Sequence, residues 1–102
     1  MTSQQWNVAM EVVLEWGAQA LAPVHERLAH RLPEMTAQER EALVSQCRMV
    51  TERAYDYAGK IKAGLMNNAI DALREEWPML SQENAGHAFT QAMYYHWKDT
   101  GE

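Results

Sequence analysis

The fold is decided by the stretch Thr36–Trp77, which reads TAQEREALVSQCRMVTERAYDYAGKIKAGLMNNAIDALREEW. Thr36 and Glu39 have capping-box spacing, in which the hydroxyl accepts from the third helical amide and the carboxylate reaches back to the first. Pro78 ends the stretch because it lacks an N–H and crowds the turn before it. Apolar groups recur between these signals at helical spacing: Leu43, Cys47, Val50, Ala54, Tyr57, Ile61, Leu65, Ala69, Leu73 and Trp77. We predict one long helix over about 37–77.

The length of this helix has a consequence for assembly. About 40 residues span ~60 Å, whereas the radius of gyration of a compact domain of this size is ~13 Å. Part of the apolar stripe would then be uncovered by its own chain, so we expect a partner helix, most simply in a homodimer. Gly59 and Gly64 are alternative breakpoints, since each costs ~1 kcal/mol relative to alanine inside a helix. Asn67 or Asn68 would then cap a shorter helix after the break.

The remaining segments also predict helices. Thr2 or Ser3 can cap an N-terminal helix that runs to about Leu21, and a short second helix covers 23–32 after Pro23. Ser81 begins a C-terminal helix over 82–98, which Gly101 ends. No strand-like alternation is present. We therefore predict an all-α fold, a small bundle of three to four helices in a single domain over 1–102, built on the long helix.

Composition limits the classes of partner. The chain has 102 residues, 14 acidic against 9 basic side chains and a net charge of −5, so we expect no direct nucleic-acid or membrane partner. Its longest aliphatic run, Val12–Leu14, is far too short to span a bilayer. The single Cys47 and an N-terminus without signal-peptide character predict a soluble, cytoplasmic protein.

Charged side chains alternate in sign along the long helix. The basic middle, over 48–62, suits the acidic face of the first helix, Glu11 and Glu15, so we expect the first helix of the same or a second chain to lie across it. A wider acidic surface is predicted from eight carboxylates: Glu11, Glu15, Glu34, Glu39, Glu41, Asp71, Glu75 and Glu76.

Aromatic side chains supply the strongest functional signal. Successive helix positions turn by ~100°, so the large side chains of Met93–Lys98 cannot all face one core. Tyr and Trp with neighbouring Lys98 or Arg53 are typical of interface hot spots, although the same rings could cover neighbouring helices of their own molecule. The predicted partner-binding residues are Tyr94, Tyr95, Trp97, Tyr55, Tyr57 and Trp77.

The sequence patterns that would indicate catalysis or a bound metal are weaker than the aromatic pattern. Glu26/His30 and Glu83/His87 are carboxylate–imidazole pairs at i, i+4 that would supply four metal ligands if they met, but such pairs are ordinary on helix surfaces. Cys47 lies on the apolar stripe without a nearby base, and no triad or phosphate-binding loop is present. We predict no enzyme activity, no metal and no cofactor.

Three functions fit these observations. The first is a binding module or small regulatory subunit that self-associates and docks a protein through its Tyr/Trp surface. The second is a small acidic inhibitor, of the anti-restriction or anti-CRISPR type, that occupies the basic groove of a nucleic-acid enzyme. The third is a metal- or cofactor-binding helical bundle. The first accounts for the aromatic side chains and is the one we predict.

Overall fold

The structure, a computed structural model, describes residues 1–15 and 21–101. These residues form five α-helices and no strand: α1 Ser3–Val13, α2 Val24–Arg31, α3 Ala37–Lys62, α4 Ala69–Glu76 and α5 Gln82–Thr100. The all-α prediction is confirmed, and α3 is a long central helix. None of the helices in the described ranges combines the length and apolar character that crossing a membrane requires.

The helix caps follow the local sequence closely. The Thr36 N–H donates to Glu39 Oε1 at 2.8 Å and the Glu39 N–H donates to Thr36 Oγ1 at 3.1 Å, so the predicted capping box is present. The hydrogen bond from the Thr36 N–H lowers the pKa of the Glu39 carboxyl. Ser81 caps α5, and Gly101 ends it at a φ of 77°. Thr2 caps α1, which ends at Val13 and not at the predicted Leu21; residues 16–20 of that prediction lie outside the described ranges.

The predicted continuity of the helix over 37–77 is wrong. The helix α3 ends at Lys62, where the Leu65 N–H donates to the Lys60 carbonyl at 2.8 Å and the Gly64 N–H to that of Ile61 at 3.1 Å. This pair of bonds is a Schellman motif, which requires the positive φ, 75°, that Gly64 adopts. Asn68 then caps α4 by accepting from the Asp71 N–H at 3.0 Å.

Residues Met1–Arg48 form one compact unit, which contains α1, α2 and the beginning of α3. The indole of Trp6 is fully buried and its N–H donates to Gln46 Oε1 at 3.2 Å. Arg27 holds α2 to the end of α1, because its guanidinium donates to the carbonyls of Val12 at 2.8 Å and Ala22 at 2.9 Å. Leu28, Leu43, Val44 and Cys47 are among the other core residues of this unit.

Residues Met49–Glu102 form the second compact unit, which contains the rest of α3 together with α4 and α5. The helices α4 and α5 pack against each other. The core of the unit is built largely from small side chains, which let helices approach closely: Val50, Ala54, Tyr57, Ala58, Ala69, Leu73, Leu80, Ala85, Ala88 and Ala92.

The break in the helix removes the length argument for a second copy. A 26-residue α3 spans ~39 Å, and Ala69 and Leu73, from the later part of the predicted stripe, are buried in the second unit. Leu65, which a continuous helix would place on that stripe, is instead 77 % exposed in the connection between α3 and α4.

Candidate protein-binding surface

Three large aromatic side chains are exposed near the C-terminal end of α5. Tyr94, Tyr95 and Trp97 are 45 %, 43 % and 56 % exposed. The ring centroid of Tyr94 lies 5.5 Å from that of Tyr95 and 6.2 Å from that of Trp97, so the three side chains form one cluster. We call these residues the α5 aromatic cluster.

The end of α5 that carries the cluster is fastened to α3. The Tyr55 hydroxyl donates to Asp99 Oδ2 at 3.0 Å, and its ring lies 5.3 Å from that of His96. Gly59 permits this approach, because a Cβ at that position would lie 3.1 Å from His96 Nε2. The bond to Asp99 raises the pKa of Tyr55, because the carboxylate accepts from the protonated phenol. The cluster is therefore carried by a helix end held in place by side chains.

The other three predicted partner-binding aromatics are in different settings. Tyr57 is only 8 % exposed and belongs to the core of the second unit, because it lies on the apolar stripe of α3. Its hydroxyl donates to Glu76, which raises its pKa. Tyr55 and Trp77 are half-buried. The predicted aromatic surface is thus reduced to the α5 aromatic cluster, with Tyr55 beside it.

Most of the eight carboxylates predicted to form an acidic surface have partners in their own unit. The ion pairs of Glu15 with Arg27, at 3.2 Å, and of Glu11 with Arg31, at 3.8 Å, join α1 to α2. The predicted placement of the first helix across the basic middle of α3 stays a prediction. The arginines of α2 lie near enough in space to compete for them.

Of the remaining predicted carboxylates, some bond other side chains, some lie at helix starts, and two are described only as exposed. Glu34 accepts from the Gln5 side chain at 3.3 Å, and Glu76 accepts from Tyr57 and lies 3.5 Å from Arg53. Glu39 and Asp71 serve the starts of α3 and α4. Glu41 and Glu75 are exposed. Six of the eight carboxylates therefore have a bonding partner within their own unit.

The residues considered for catalysis or metal binding lie in separate local settings. Among residues 1–15 and 21–101, no group of three or more His, Cys, Asp or Glu side chains is placed to hold a metal ion. Glu26 and His30 line an open cleft of about 420 Å³ beside Arg27, and His87 Nε2 lies 3.3 Å from Gln91 Nε2. Burial raises the pKa of the Cys47 thiol to about 12, which opposes formation of a nucleophilic thiolate.

Of the charged residues near the end of α5, the sequence patterns singled out Lys98 but not Asp99. Asp99, Lys98 and, on the adjoining part of α3, Glu52 and Asp56 are all exposed. The pairing of Tyr55 with Asp99 joins residues far apart in the chain, so no local pattern indicates it. The i, i+4 spacing of Tyr95 and Asp99 is the signal that could have drawn attention to this end of α5.

Comparison of the chain with protein-family models, with curated proteins and with solved structures finds no match.

Proposed function

We propose that this protein is a non-enzymatic binding module, or small regulatory subunit, that docks a protein partner through Tyr94, Tyr95 and Trp97. The observation that carries the proposal is the exposure of three contiguous aromatic side chains on one helix end. Trp and Tyr contribute large apolar area with few rotatable bonds and are enriched among the residues that dominate binding energy.

The acidic-inhibitor function has less support. Its interface would need a broad, accessible set of carboxylates, whereas Glu11, Glu15, Glu34 and Glu76 already contact side chains in their own unit. The free energy needed to break these contacts would offset part of the free energy gained by binding a basic partner. A metal-binding bundle lacks a cluster of ligand side chains among the described residues.

A cytoplasmic location stays a prediction, whereas self-association loses the argument from which it was predicted. The homodimer was inferred from a continuous helix, and α3 ends at Lys62, so the partner that we propose is a different protein. The cytoplasmic location is inferred in part from the single Cys47, which is buried as a free thiol and suits a reducing compartment.

The docking function is tested by quantitative affinity capture from the source cells. Wild type, Trp97→Ala and Tyr94→Ala serve as baits, with Leu65→Ala as the matched control because Leu65 is exposed but lies outside α5. We expect a protein retained by wild type and Leu65→Ala and lost, by about tenfold or more, with Trp97→Ala. Equal circular dichroism spectra and melting temperatures for the baits establish that folding is unchanged.

Identical sets of captured proteins on all four baits would contradict the proposed docking surface. A protein lost on every variant, including Leu65→Ala, would do the same, because the loss would not be specific to the cluster.

A further inference from the structure

We propose that α4 and α5 of this chain can exchange between two copies, and that the turn at Gly64 is the element that keeps them packed on their own α3. In the exchanged form the connection between α3 and α4 straightens, so that these two helices join into one, and α4 and α5 pack on the α3 of the second copy. This inference goes beyond the proposed docking function, because it concerns the packing of α4 and α5 on α3 and not the exposed rings of the α5 aromatic cluster.

The connection between α3 and α4, residues 63–68, is held by local bonds. Five of its six residues are exposed and the sixth, Met66, is half-buried. Within the part of the chain that the structure describes, its hydrogen bonds run to the last turn of α3 and to the first turn of α4. A segment with few buried contacts opens at a small cost in free energy, so this connection is suited to act as a hinge.

The sequence of the connection is also compatible with a continuous helix. No proline lies in residues 36–77, and Leu65 follows Ile61 and precedes Ala69 by four residues each, so a straight helix would place all three on one apolar line. The backbone N–H groups that bond within the Schellman motif would donate instead to carbonyls four residues earlier. The number of backbone hydrogen bonds is therefore nearly the same in the two forms.

The contacts that hold α4 and α5 on α3 can be made equally well by a second copy. Tyr57 and Arg53 of α3 both contact Glu76 of α4, with Arg53 Nε 3.5 Å from Glu76 Oε1. The Tyr55 hydroxyl donates to Asp99 of α5 at 3.0 Å. Each of these contacts joins a residue before the connection to a residue after it. Two copies that exchange α4 and α5 thus keep all of them, which is the condition for domain swapping.

The balance between the two forms is set at the connection. Within one chain α3 meets its own α4 at a high effective concentration, which favours the monomer. The turn adds to this preference, because Gly64 adopts a φ of 75° without strain and would weaken a continuous helix. An alanine at this position reverses both effects, since it is strained in the turn and favours the helix. We therefore expect the wild type to stay a monomer and Gly64→Ala to exchange.

The test compares wild type and Gly64→Ala after refolding from urea at low and at high protein concentration. Gly101→Ala is the matched control, because Gly101 has a φ of 77° but lies at the end of the last helix. We expect light scattering to return 11.7 kDa for wild type and control throughout. Gly64→Ala should return twice that mass at high concentration, with a dimer dissociation constant at least about a hundredfold below that of wild type. A Gly64→Ala variant that stays a monomer at high concentration would overturn the proposal.

A longer connection tests whether association depends on straightening. Three glycines inserted after Leu65 in Gly64→Ala allow the connection to turn at the inserted residues and weaken a continuous helix, while lengthening a loop costs little. We expect this variant to return to the monomer mass at high concentration. A dimer that persists in it would overturn the proposal, because the copies would then associate without a continuous helix.

A mixing experiment distinguishes exchange from side-by-side association. Arg53→Glu and Glu76→Arg, each combined with Gly64→Ala, place like charges opposite each other wherever α3 meets α4 of the same kind of chain. When the two kinds are refolded together, exchange between unlike chains restores both opposite-charge pairs. We expect native mass spectrometry to find mixed dimers about two- to fivefold above their statistical share. A statistical mixture of the three dimers would indicate side-by-side association and would overturn the exchange.

Discussion

Tyr55 and Tyr57 of α3 both donate to carboxylates, but their surroundings differ. Tyr57 is buried and bonds Glu76 of α4, whereas Tyr55 is half-buried and bonds the exposed Asp99 of α5. A hydrogen bond from a buried phenol contributes ~1 kcal/mol, and one from a more exposed phenol contributes less because water replaces it. We expect Tyr57→Phe to lower the free energy of unfolding by ~1 kcal/mol and Tyr55→Phe to lower it by less. Urea unfolding of both variants measures the difference; equal losses would contradict it.

Cys47 provides a second prediction at the residue scale. Its side chain is fully buried, and burial raises its pKa from the ordinary 9.0 to about 12. The folded thiol should therefore resist an aromatic disulfide reagent at mildly alkaline pH and react at once when the chain is unfolded in urea. Because the folded pKa is raised, the contribution of Cys47 to stability is complete below pH 9 and is lost as the pH rises towards 12. Unfolding of wild type and Cys47→Ala across this range measures the loss; parallel curves would contradict it.

At the scale of elements, the ends of helices were predictable where a few neighbouring residues decide them. Thr36 with Glu39, Ser81 and Gly101 act as predicted, because a cap depends on side chains within one turn. The end of α3 was not predictable in this way. Continuing the helix through Gly64 and ending it there differ locally by only ~1 kcal/mol, and burial of Ala69 and Leu73 in the second unit favours the break.

The difference between local signals and tertiary packing also explains which residues of the candidate surface were predicted correctly. The ~100° turn between successive residues predicted that some of the rings near the end of α5 would be exposed, and Tyr94, Tyr95 and Trp97 are. Tyr57 fitted both the apolar stripe and the partner-binding set, and only packing could assign it to the core. The bond between Tyr55 and Asp99 depends on which turn of α3 meets α5, which is a tertiary contact.

The break between α3 and α4 can be tested directly. Gly64→Ala forces a Cβ into a left-handed conformation and should destabilise the protein by ~1 kcal/mol, while Asn68→Ala removes a cap worth ~1 kcal/mol. Gly101→Ala is the control, since its φ of 77° matches the 75° of Gly64 but it lies at the end of the last helix, where fraying reduces the cost. Thermal unfolding and helix content by circular dichroism are the measurements. A gain in stability or helicity for Gly64→Ala would indicate that the continuous helix is accessible.

For the whole molecule, the distribution of apolar surface decides how many copies associate. A continuous helix would need cover from a second chain, whereas Ala69 and Leu73 are buried in the second unit. Among the residues that the structure describes, the exposed large apolar side chains outside the α5 aromatic cluster belong to several segments of the chain: Met1, Leu21, Met49, Leu65 and Met79. Isolated exposed side chains of this kind are normal on monomers and do not form an interface by themselves.

We therefore expect light scattering to return the monomer mass, 11.7 kDa, at both low and high protein concentration. The same measurement on Trp97→Asp separates the alternatives. If the wild type were instead a dimer and this variant a monomer, the α5 aromatic cluster would be the contact between two copies, because a carboxylate placed there would be buried without a partner. A dimer that persists in Trp97→Asp would require a different surface and would contradict the assignment of the cluster as the main contact. A monomer in both cases leaves the exposed rings available to a different protein as partner.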